Sequence, residues 1–227
     1  MGSLLVTATD TEVGKTVLTA ALVAYWQRYR QPAALGLMKL VQAGVGDREF
    51  YQQHFQLDQA PETLAPVVFA EPLAPPIAAQ REGRTVDLGR VWQALQELQH
   101  TKSFVLIEAL GGLGSPVTAE LTVADLARDW RLPVVLVVPV QLGAIAQAVA
   151  NVALARQNHL HLRGLVLNCR QPVSATQQAD WAPPALLESL TQVPVLGCLP
   201  HLTDPTDLTM LAQVSANLDL ERLLPPP

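Results

Sequence analysis

Short apolar runs rich in β-branched residues recur at 4–6, 104–107, 134–138, 165–167 and 193–196. They do not alternate with polar residues, which is the pattern of strands buried on both faces of a mostly parallel sheet. Between them, residues 17–29, 88–98, 123–130, 145–157 and 184–190 place apolar side chains at helical spacing. This order predicts a doubly wound α/β fold, a mostly parallel sheet with helices on both faces. One domain over residues 1–227 is expected. A further strand is expected at 34–40, although Gly36 weakens its pattern. Residues 60–76 hold several prolines and are expected as an ordered loop over the carboxyl edge of the sheet, not as a helix. The tail, 223–227, ends in three prolines and is expected to fray.

Composition narrows the classes of partner. Apolar residues make up 49% of the chain and charged residues only 15%, which suits a packed globule and excludes a disordered, nucleic-acid-wrapping chain. A formal charge of -5, with scattered Lys and Arg, leaves no general attraction for polyanions. Cys169 and Cys198 are too few for a disulfide framework and point to a reducing compartment. No apolar run is long enough to cross a membrane and the N-terminus carries no export pattern, so a cytoplasmic protein without nucleic acid or membrane partners is expected. His54, His100, His159 and His161 form no metal-ligand pattern.

The first candidate chemistry lies where the apolar run ends. Residues 4–7 lead into Ala8-Thr9-Asp10-Thr11-Glu12-Val13-Gly14-Lys15-Thr16 and then into a helix, the strand, loop and helix context of a P-loop. Backbone N–H groups of such a loop converge on phosphate, where the helix N-terminus also favours an anion. Gly14 allows close approach, Lys15 supplies a compact cation to the β- and γ-phosphates, and the Thr16 hydroxyl suits the oxygen shell of Mg²⁺. Mg-ATP is the expected ligand. One position is irregular: Ala8 or Thr9 stands where such loops usually open with glycine. Were φ positive there, alanine would cost about 1 kcal/mol or more.

The run from Thr9 to Thr16 closely resembles the N-terminal signature of the dethiobiotin synthetase family. Other segments resemble that family in the same order: Gly36-Leu37-Met38-Lys39-Leu40-Val41, Phe69-Ala70-Glu71-Pro72-Leu73-Ala74-Pro75, Glu108-Ala109-Leu110-Gly111-Gly112, Leu142-Gly143-Ala144-Ile145 and Gly164-Leu165-Val166-Leu167-Asn168. The resemblance implies a P-loop ATP-dependent ligase that converts 7,8-diaminononanoate, CO₂ and ATP to dethiobiotin, ADP and phosphate in biotin synthesis. It implies Lys39 as catalytic lysine beside Lys15, and Mg²⁺ held by Thr16, Asp47 and Glu108. A carboxylate ending a buried strand, as Glu108 does, has the Walker-B placement; the alternative is that Glu108 caps nearby backbone N–H groups and Asp47 is a solvated helix cap. The resemblance places nucleotide on Glu12, Val13, Gly14, Val17, Gly111, Asn168, Cys169, Pro200, His201, Leu202 and Asp207, with Asn168 reading adenine, Asp207 near ribose and His201 as pocket wall.

The resemblance places substrate on Ala43, Gly111 and Gly112, and on Leu142, Gly143, Ala144 and Ile145, the last four reaching it across a homodimer interface. Gly111 and Gly112 suit either close backbone approach or an ordinary turn. The departures cluster on the substrate side: Leu40 for proline, Ala43 for a small hydroxyl residue, Pro76 for histidine, and Ala146-Gln147 for Asn-His. Two other readings stay open, a P-loop switch ATPase and a cobyrinate-type amidoligase. The first usually carries a second lysine early in the loop, and none precedes Lys15. The second usually carries a glutaminase domain, which is absent here.

Overall fold

The computed structural model describes residues 2–226. Eight strands lie among them: β1 (Gly2–Ala8), β2 (Leu35–Lys39), β3 (Gln42–Ala43), β4 (Val68–Phe69), β5 (Phe104–Gly112), β6 (Val134–Pro139), β7 (Leu162–Asn168) and β8 (Val195–Leu199). Six form one sheet in the order β2-β5-β1-β6-β7-β8 with every neighbouring pair parallel, and β3 and β4 form a small parallel pair of their own. Strands this apolar need cover on both faces. Leu4 and Val6 of β1 turn to one layer with Leu18, Leu22 and Leu211, while Leu5 turns to the other with Val91, Leu95 and Val123. A third cluster covers the β6 and β7 end of that second face, where Leu136, Val138, Leu165 and Leu167 meet Ala148, Val152 and Leu187.

The helices that build these layers are α1 (Lys15–Tyr29), α2 (Asp47–His54), α3 (Pro61–Leu64), α4 (Pro75–Arg81), α5 (Leu88–Thr101), α6 (Val123–Asp129), α7 (Ala144–Gln157), α8 (Ala175–Trp181), α9 (Pro184–Thr191), α10 (Leu208–Ser215) and α11 (Leu220–Leu223). Several start on side-chain caps. Asp87 accepts from Arg90 N, and Thr122 and Ser174 form capping boxes with Asp125 and Gln177. No helix among the described residues is long and apolar enough to cross a membrane.

Three expectations need correction. Residues 60–76 are not an uninterrupted loop: they hold α3, β4 and the start of α4. Both helices open on proline, whose missing N–H is not needed in a first turn. The strand expected at 193–196 pairs instead over Val195–Leu199, because Pro194 has no N–H to give the ladder. The tail does not fray at its start. Leu223 and Leu224 are buried in the cluster on the α1 side, and Pro225 O accepts from Arg30 Nη1 at 2.7 Å. Pro227 lies outside the described residues.

Candidate active site

β1 and α1 are central, and the loop joining them, residues 9–14, sits at the carboxyl edge of the sheet. Ala8 is an ordinary strand residue, so the strain considered there is absent. The left-handed positions are Glu12, with φ of 58°, and Gly14, with φ of 103°. Gly14 is the N-cap of α1 and no side chain caps that helix, which leaves its first N–H groups for an anion. Across the loop, Asn168 at the end of β7 donates Nδ2 to Val13 O at 2.9 Å. A Cβ on Gly14 would lie 1.9 Å from that nitrogen, so glycine is required both by φ and by close approach.

Register then assembles the charges. Lys39 and Glu108 are direct partners on the parallel strands β2 and β5, although 69 residues apart in sequence. Lys39 Nζ donates to Glu108 Oε1 at 2.7 Å and to Ala109 O at 3.1 Å, and pairs with Asp47 Oδ2 at 2.5 Å. Thr16 Oγ1 lies 2.9 Å from Asp47 Oδ1 and 3.2 Å from Glu108 Oε1. Glu108 Oε2 accepts from the Tyr51 hydroxyl. Lys15 Nζ folds back on the loop to Asp10 O at 3.2 Å.

Burial draws the Lys15 ammonium down to about 8, helped by repulsion from Lys39. Burial also works against the Lys39 charge, but Glu108 and Asp47 outweigh it and hold Lys39 above its ordinary value. For Asp47, burial acts upward and the Lys39 ammonium prevails, keeping the carboxyl below the usual range. Burial and then the Glu108 charge push the Tyr51 phenol well above 10, which keeps it a proton donor.

A cavity of about 600 Å³ opens onto this cluster. It brings together Glu12, Gly14, Lys15, Thr16, Lys39, Ala43, Asp47, Glu108 and Gly111 from the sequence-based set. A second cavity, about 230 Å³, lies beyond Glu12 and Gly14 and is lined by Val17, Asn168, Cys169, Pro200, His201 and Leu202. The residues expected at the phosphates and those expected at the base therefore line different cavities on the two sides of the P-loop.

Other expected residues lie elsewhere. Asp207 caps α10, accepting from Thr209 N and Met210 N at 2.9 and 3.0 Å, and lines neither cavity. Gly112 answers to packing: a Cβ there would lie 2.9 Å from Ala8 O. Leu142, Gly143, Ala144 and Ile145 open α7 outside the large cavity, with Leu142 78% exposed.

Three oxygens, Thr16 Oγ1, Asp47 Oδ1 and Glu108 Oε1, converge at the rim of the P-loop. Two carboxylates and a hydroxyl are the hard donors that Mg²⁺ takes, with phosphate and water completing the shell. The residues fit that ion, and the Lys39 ammonium pairs with both acids in this structure.

A family model described as an AAA domain matches residues 2–209. The ATP-dependent dethiobiotin synthetase BioD of Gloeothece citriformis is 62% identical over 225 residues, covering 99% of this chain and 100% of that protein. The chain belongs to the dethiobiotin synthetase family. A second dethiobiotin synthetase, from Synechocystis, is 55% identical over 97% of this chain and 94% of its own length. Among solved structures, the MinD cell division protein of Aquifex aeolicus superposes with a TM-score of 0.55 over 99% of this chain and 92% of that one. At 12% identity that likeness carries the P-loop fold alone.

In this member of the dethiobiotin synthetase family, sequence reasoning missed part of the large cavity's wall. Gln42, Ser115 and Pro116 line it, together with Pro72 and Pro75 of the proline segment. Pro72 and Pro75 stood in a segment that resembled the family, which was the available signal. Gln42 gave none. Its amide fixes the loop before α2, donating to Gly44 O at 3.1 Å and Glu49 Oε2 at 2.9 Å and accepting from Arg48 N at 2.8 Å.

Proposed function

We propose that the chain is one ATP-dependent ligase domain that joins CO₂ to 7,8-diaminononanoate and closes the ring to give dethiobiotin, ADP and phosphate. Family membership supports the reaction, and one observation carries the site. Lys39 Nζ lies within 2.7 Å of both Asp47 and Glu108 at the wall of a cavity that also holds Lys15 and Thr16.

The chemistry needs such a place. An amine of the substrate takes up CO₂ as a carbamate, whose oxygen attacks the γ-phosphate. The second amine then closes the ureido ring and expels phosphate. Each charged species is an anion, so ammonium groups and backbone N–H donors do most of the work. In this reading Lys15, which rests on Asp10 O, swings to the β- and γ-phosphates, while Lys39 at the cavity wall stabilises the carbamate and the transferring phosphoryl group. An ammonium presents rotatable donors that can follow moving charge, which a planar guanidinium cannot do as easily. When bound by Thr16, Asp47 and Glu108, Mg²⁺ neutralises phosphate charge.

In the same reading the base of ATP takes the smaller cavity. Asn168 already gives its Nδ2 to Val13 O, and its Oδ1 remains to accept from an adenine amino group. The Gly143 N-cap of α7 has no side-chain partner and stands beside the exposed Leu142. These features support a homodimer in which one subunit's α7 N-terminus serves the substrate carboxylate in the other.

The decisive experiment is Lys39→Ala in a purified enzyme supplied with ATP, Mg²⁺, bicarbonate and the diamine. Dethiobiotin formation is expected to fall at least a thousandfold, about 4 kcal/mol in the transition state, with ATP binding still measurable by calorimetry. Near-normal turnover in that variant would refute the assignment.

A further inference from the structure

Tyr51 belongs to no expected set of site residues, yet it is fully buried and its hydroxyl meets the acid at the centre of the cluster. It lies four residues after Asp47 on α2, so the two share one helix face. From that face Asp47 reaches Thr16 and Lys39, and Tyr51 reaches Glu108. Phe55 and Phe50, with ring centroids 6.2 and 5.6 Å from Tyr51, hold the phenol in place.

The two oxygens of Glu108 are thereby given different tasks. Oε2 takes the Tyr51 hydroxyl, and Oε1 alone faces Lys39 Nζ and Thr16 Oγ1. Glu108 is buried, and with Lys39 and Thr16 on Oε1 the Tyr51 hydroxyl is the donor that holds Oε2 away from the cavity. We infer that Tyr51 is a positioning residue that orients Glu108 to offer one oxygen to the Mg²⁺ of Mg-ATP. Without the hydroxyl, both oxygens are free to turn onto Lys39, which withdraws the carboxylate from Thr16. The inference rests on the reading that Glu108 serves the metal.

Tyr51→Phe keeps the ring and removes only the donor. Partners that orient a metal ligand commonly change metal affinity by about tenfold to a hundredfold. Calorimetric titration of ADP, with and without Mg²⁺, into full-length wild type, Tyr51→Phe, Glu108→Gln and the double variant separates the possibilities. Tyr51→Phe is expected to bind metal-free ADP as wild type does and to need about tenfold more Mg²⁺ for the metal-dependent gain. The double variant is expected to match Glu108→Gln alone, since Tyr51 acts through Glu108.

The proposal is overturned if Tyr51→Phe leaves the Mg²⁺ requirement unchanged while Glu108→Gln raises it. It is equally overturned if Tyr51→Phe weakens metal-free ADP binding, which marks a packing role, or if the two effects add. Should Glu108→Gln leave the Mg²⁺ requirement untouched, the metal reading of that acid falls, and the role of Tyr51 falls with it.

Discussion

Lys15 is only 6% exposed and shares its surroundings with Lys39, and together these hold its ammonium at about 8 against an ordinary 10.5. Its folded value lies below the unfolded one, so between those values the native chain binds fewer protons and stability from this residue rises with pH. Below about pH 8 the buried charge is a penalty of about 3 kcal/mol, set first by burial and then by Lys39. Lys15→Met is therefore expected to raise the melting temperature of the nucleotide-free protein at neutral pH while abolishing ATP binding. Calorimetric melting and titration check both, and a variant that melts lower than wild type contradicts the account. The same residue links ATP binding to pH. A triphosphate restores the Lys15 proton, so at about pH 9 binding should take up close to one proton. Buffers of different ionisation enthalpy expose that uptake, and the Lys15→Met variant should lack it.

The loop between β1 and α1 is tied to the end of β7, because Asn168 closes on Val13 O where Gly14 has no side chain. Gly14→Ala combines a forbidden approach with a left-handed backbone. It is expected to lose about 1–3 kcal/mol of stability and at least tenfold in ATP affinity, read by melting and titration. The long elements were legible in the sequence: β1, β5, β6 and β7 as unbroken apolar runs, α5 as several turns of regular spacing, and α1 and α7 as long apolar stretches that follow Gly14 and Gly143. The short helices α2, α8 and α10 span about two turns, which leaves little room for a period to emerge, although α6 and α9 of similar length were legible and Ser174 and Asp207 mark two of the missed starts. Asp207 shows the cost of setting that local signal aside: an aspartate before an apolar run is an N-cap, and the structure uses it as one. The site was legible as residue types at strand ends. Its internal pairing was not, since Lys39 meets Glu108 only through the register of β2 against β5, and Tyr51 reads locally as one more apolar residue of α2.

The chain end belongs to the whole molecule. Leu223 and Leu224 fill the layer over α1, and Arg30 ties down Pro225. Deleting residues 223–227 is expected to cost at least about 3 kcal/mol in urea unfolding, from two buried leucines and a lost bond to a charged donor. ATP affinity of the folded fraction should be unchanged, because the cavities lie elsewhere; a selective loss of binding would contradict this. The balance of Lys15 and Lys39 against Asp47 and Glu108 also has a consequence at this scale. The cluster is electrically neutral within a protein of charge -5, so it projects no attractive far field toward a polyanion in solution. An anionic nucleotide meets the repulsion of the net charge until it touches the loop, so its capture rate is expected to rise modestly as salt screens that field, which stopped-flow mixing at two ionic strengths reads.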